Sequence, residues 1–168
     1  MDPLAEPSPG SPPGRWTVVR KFSFGSTSAI LTSVGLIVGF HAAHARKAPL
    51  LGGLMIVAVA DNLTDSLSIH VYQESELLPG RAAFTETLTN FAARLGLALS
   101  FVAVVAVASL TVAAAVSVVW GLLLLVALTS VVAMERNVKV VPEVAKHLVV
   151  ALAVILVSVA IGKWLPQQ

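Results

Sequence analysis

Five long apolar runs, at residues 24–45, 50–72, 95–113, 116–133 and 148–165, follow one another along the chain with short polar segments between them. Each is close to the roughly 20 residues a helix needs to cross the hydrocarbon core of a bilayer. The pattern therefore predicts an all-α integral membrane protein of five transmembrane helices occupying residues 15–168. Residues 1–14 (MDPLAEPSPGSPPG) carry no such pattern. Their Pro, Ser and Gly content reads as a disordered tail rather than a signal peptide.

The boundaries follow from punctuation. Pro49 opens the second span in the first helical turn, and no breaker follows until Pro79–Gly80. This helix should outrun a hydrocarbon core of about 30 Å and project into the cytosol. Residues 81–94 (RAAFTETLTNFAAR) read as an amphipathic helix feeding directly into span three. The run 95–133 contains 39 residues without an ionisable group, too many for one crossing, so a turn is expected near 111–117.

Composition agrees: 57% of the 168 residues are apolar and 12% charged, against about a quarter charged in soluble domains. The absence of cysteine removes disulfides and thiolate metal sites. A formal charge of +2 is too small to imply nucleic acid, and the basic residues flank the spans instead. An N-terminus in the cytoplasm and a C-terminus outside would place Arg15, Arg20, Lys21, Arg81, Arg94, Arg136, Lys139 and Lys146 inside. Only Arg46, Lys47 and Lys163 would lie outside, as the positive-inside rule prefers.

One segment breaks the apolar rule. In span two, LLGGLMIVAVADNLTDSLSIHVYQESE, Asp61 lies about 18 Å along the helix from Pro49, near mid-membrane, and Asp65 one turn further. A carboxylate there costs about 2.5–3.5 kcal/mol on insertion scales, and intramembrane acids mark function by default. Asp61, Asp65, Ser68, Tyr72 and Glu76 fall within about 80° of one another on a helix, an oxygen-rich stripe running toward the cytosol. His70 and Glu74 pair at i, i+4 on the other side, and Asn62, Ser66 and Gln73 form a third polar line. Such oxygen donors suit a hard divalent cation, and imidazole admits Fe²⁺. The metal-ligand candidates are thus Asp61, Asp65, Ser68, Glu74, Glu76 and His70. Ser28, Thr32, Asn62 and Tyr72 are the pathway-lining candidates. In the alternative, the acids are neutral hydrogen-bonding groups of a scaffold. Gly35 and Gly39 form a small-xxx-small pattern for close helix crossing. His41 and His44 lie at the outer end of span one, as solvated side chains or as exit ligands.

The pairing of FGSTSAILTSVGLIVGF with ADNLTDSLSIHVYQESE resembles the first two spans of the vacuolar iron transporter (VIT) family. The five-span count and the projecting second helix are similar as well. The resemblance implies a homodimer, with Gly35 and Gly39 at its packing seam. Its first spans line a path by which cytosolic Fe²⁺ or Mn²⁺ leaves in exchange for protons. In this sequence Thr27, Ser28 and Ala29 stand where the family has Asn-Asp-Gly, and Ile69 follows Ser68 where the family has Met. About 20 residues replace the family's cytosolic metal-binding domain. The chain is expected to be a multi-pass protein of a prokaryotic plasma membrane and a metal-homeostasis carrier with no cofactor beyond its cargo. It has none of the usual enzyme motifs. The alternatives are a non-transporting membrane scaffold and a carrier of another small cation.

Overall fold

A computed structural model describes the backbone of residues 15–75 and 80–165 and the side chains of 25–72, 84, 85 and 87–165. The described residues form helices joined by short turns, with no strand among them. The helices are α1 (Arg15–Ala42), α2 (Lys47–Ile56), α3 (Asn62–Ser75), α4 (Gly80–Val107), α5 (Leu110–Glu135) and α6 (Val140–Trp164). One π-helical turn, Val57–Asp61, joins α2 to α3, so that Lys47–Tyr72 forms a single span of 26 residues. Five helices are long and apolar enough to cross a membrane: Gly25–Ala42, Lys47–Tyr72, Thr87–Val107, Leu110–Glu135 and Val140–Trp164. These define a multi-pass, all-α membrane protein, as the apolar runs predict. The tail 1–14 and Glu76 lie outside the described residues, as do the side chains of Gln73 and Glu74.

Helix α1 is the hub. Half of its span is buried, against 6% of the span in α6, and it packs on α4, α5 and α6. Its partner face on α5 is a row of mostly small residues every fourth position: Ala113, Ser117, Gly121, Leu125, Thr129 and Ala133, all buried. Small side chains let backbones approach, which is how helices associate where lipid removes the hydrophobic drive. Gly121 shows the constraint: a Cβ there would lie 2.5 Å from Val34 Cγ2. Around it Ile30, Val34, Ile37, Phe101 and Val105 form the apolar core with Leu50 and Leu54.

The helix ends are set by specific devices. α1 and α5 both stop in a left-handed residue, His44 (φ 53°) and Asn137 (φ 52°). The amides of Ala45 and Val138 return to the carbonyls of Phe40 and Ala133, at 3.0 Å in both cases. This is the Schellman closure of a helix, and it gives His44 a backbone role. The turn between spans three and four falls at Ala108–Ser109, earlier than the expected 111–117. A contact distant in sequence fixes it: Lys47 Nζ, at the start of α2, donates to the carbonyls of Ala106 at 2.7 Å and Ala108 at 3.0 Å and so caps the end of α4.

Candidate functional site

The two intramembrane acids meet an arginine. Arg94, on α4, is only 1% exposed, and its Nη1 lies 2.5 Å from Asp65 Oδ2 while Nη2 lies 3.4 Å from Asp61 Oδ2. Its Nε donates to Asn62 Oδ1 at 2.8 Å. Both carboxylates stand at the rim of the α3–α4 contact, 41% and 39% exposed, while the guanidinium lies inside it. A buried arginine left alone would be prohibitive, and two acids left alone at mid-span costly; each supplies the other's counter-charge.

The backbone adapts to this cluster. In the π-helical turn the amide of Asn62 turns to the carbonyl of Val59, and the Asn62 side chain takes the carbonyl of Ala58 instead, Nδ2 donating at 2.6 Å. Asn62 therefore satisfies a displaced helix carbonyl with one end of its amide and Arg94 with the other. π-Helical turns frequently accompany functional sites, and this one ends on Asp61 itself.

From there a polar seam runs along the antiparallel α3–α4 hairpin. Asn62, Ser66 and His70 lie on successive turns of α3; Arg94, Asn90 and Thr87 answer on α4. Asn62–Arg94 forms one rung, and Thr87 Oγ1 with His70 Nδ1, at 3.4 Å, forms another. Gly25 of α1 closes the top: a Cβ would lie 2.6 Å from Arg94 Cδ and Nη1 and 3.1 Å from Asn90 Oδ1.

The sequence candidates are redistributed by this packing. Asp61, Asp65 and Asn62 come together around Arg94. His70 turns to Thr87 in the seam. Ser68 and Tyr72 are exposed, and Ser68 Oγ donates to the Thr64 carbonyl of its own helix at 2.9 Å. Ser28 is exposed, and Thr32 lines an open apolar groove between α1 and α6, away from the hairpin. Gly35 and Gly39 do make a close crossing, but within the chain, against Ser158 of α6. Glu74 and Glu76 have no described side chain. Among the described residues no group of three or more His, Asp or Glu gathers as a metal shell. The residue that sequence reasoning missed is Arg94, which the sequence puts at the end of the amphipathic helix leading into span three, as a cytoplasmic flanking charge. Its signal was present: two acids in a span demand a cation at the same depth, and Asn90 and Arg94 sit one turn apart at the mouth of the next span.

No family model, curated protein or solved structure matches the chain.

Proposed function

We propose that the chain carries a small divalent cation across the membrane in exchange for protons, with Asp61 and Asp65 alternating between Arg94 and the cargo. The observation that carries the reading is the half-open carboxylate pair, one turn apart at mid-span, held by a single buried guanidinium beside a π-helical turn. The carboxylates reach outward while the arginine holds them from within, so a cation arriving from the open side competes with Arg94 for the same oxygens. The charge balance suits exchange. With both carboxylates ionised the cluster carries one net negative charge, and one divalent ion or two protons changes it equally.

Fe²⁺ or Mn²⁺ as cargo, export from the cytosol, a cytoplasmic N-terminus, a plasma membrane and a homodimer belong to this proposal through the resemblance of spans one and two to the VIT family. With α6 already packed on Gly35 and Gly39, a second copy would meet another face of the bundle.

The pairing of both acids with Arg94 favours a second reading, a non-transporting scaffold in which the cluster only fixes the α3–α4 pair. Flux of Mn²⁺, Fe²⁺, Co²⁺ and Ca²⁺ into proteoliposomes under a pH gradient separates the two. Selective flux lost in Asp61→Asn supports the carrier; no flux of any ion from folded protein supports the scaffold.

A further inference from the structure

Between the Asn62–Arg94 and His70–Thr87 rungs the helix register places Ser66 on α3 and Asn90 on α4, 4% exposed each. Among the described residues neither finds a partner: Ser66 Oγ and both Asn90 Oδ1 and Nδ2 are buried without a hydrogen bond. Exchanging the two ends of the Asn90 amide changes nothing, because both are unpartnered. Ser66 also declines the bond its neighbours make. Thr64 and Ser68 donate to the carbonyls four residues back, each at 2.9 Å, whereas the Ser66 hydroxyl stays within the hairpin contact. Leaving such groups unpaired in an apolar interior is costly.

Arg94 adds to the demand. A guanidinium has five N–H donors, and its contacts to Asn62, Asp61 and Asp65 engage three. The same point beside Gly25 lies 2.6 Å from Arg94 Nη1 and 3.1 Å from Asn90 Oδ1, so these two atoms share one small neighbourhood within reach of a single bridging molecule.

We propose that Ser66 and Asn90 form an ordered-water site between α3 and α4, which serves the remaining N–H edge of Arg94. The donor set selects water. Asn90 and Ser66 each present a donor as well as an acceptor, and a water molecule, with two of each, answers both. A metal ion would use only the oxygens, leaving Asn90 Nδ2 unpaired and adding positive charge beside a guanidinium. An anion would satisfy the N–H groups but orphan Asn90 Oδ1. Two to four polar partners are what a buried water requires, and Arg94, Asn90 and Ser66 provide three. The site lies beyond the carrier reading and stands whether or not the protein transports.

The test is water-edited solid-state NMR on the full chain, labelled with ¹⁵N at Asn and Arg, in bilayers of deuterated lipid. Asn62 is the internal control, since protein groups bind both ends of its side chain. The Asn90 side-chain amide should take up water polarisation several-fold faster than that of Asn62, and Ser66→Ala should slow it. Build-up at Asn90 no faster than at Asn62 in the wild-type protein overturns the proposal. So does an unchanged Asn90 rate in folded Ser66→Ala.

Discussion

Arg94 and Asn62 join two helices: Nε donates to Oδ1 at 2.8 Å, and the other end of the same amide holds the Ala58 carbonyl at 2.6 Å. One side chain thus links the π-helical turn to the charge cluster, and a change at either should be felt at the other. Asn62→Leu keeps the volume but removes both bonds. It should lower stability by about 2 kcal/mol, from one neutral bond and one bond to a charged group. Denaturant or steric-trapping titration in bicelles measures this, and no loss would mean the amide is idle.

Removing the arginine should be worse than removing its partners. Arg94→Gln leaves two neighbouring carboxylates without a counter-charge and should cost on the order of 3 kcal/mol. Asp61→Asn with Asp65→Asn in the same background should recover much of that loss, giving a coupling of about 0.5–3 kcal/mol in a double-mutant cycle. Additive effects would show that the ion pairs carry no energy.

The glycines separate packing from propensity. A side chain at Gly25 meets Arg94 at 2.6 Å, whereas nothing lies within 4 Å of a Cβ at Gly96. Gly25→Ala should destabilise by about 1–3 kcal/mol. Gly96→Ala, in the same kind of helical backbone, should be neutral or stabilising by up to about 1 kcal/mol. Thermal melting of the two variants side by side checks the contrast.

Lys47 and His44 have structural duties that predict opposite mutational tolerance from their exposed neighbour Arg46. Lys47→Met should weaken the α4 terminus by about 1 kcal/mol, and Arg46→Gln should change nothing measurable. His44→Gly should be tolerated, because glycine suits a left-handed helix stop, while His44→Val should cost about 1–2 kcal/mol. If His44→Gly instead reduced metal transport while stability held, the histidine would be an exit ligand.

The span count was legible because lipid imposes it: apolar runs long enough to cross cannot hide in a sequence. Asp61 and Asp65 were legible for the same reason, as charges where charges are expensive. What stayed hidden depended on partners distant along the chain. The helical stripe placed Ser68 and Tyr72 with the acids, but α4 covers the Asn62–Ser66–His70 side, which leaves Ser68 and Tyr72 outside. The turn after α4 was misplaced because its anchor is Lys47, about sixty residues earlier. Arg94 was passed over because basic residues at span ends ordinarily report topology. Only the α3–α4 register reveals it as the counter-ion.

The central claim is that cargo and Arg94 compete for the same carboxylates, and Mn²⁺ titration of the purified protein by electron paramagnetic resonance tests it most directly. The account predicts that wild-type protein quenches the six-line signal of free Mn²⁺, and that the Asp61→Asn/Asp65→Asn double variant, folded, does not. Equal Mn²⁺ binding by that variant, or none by either protein, would contradict it.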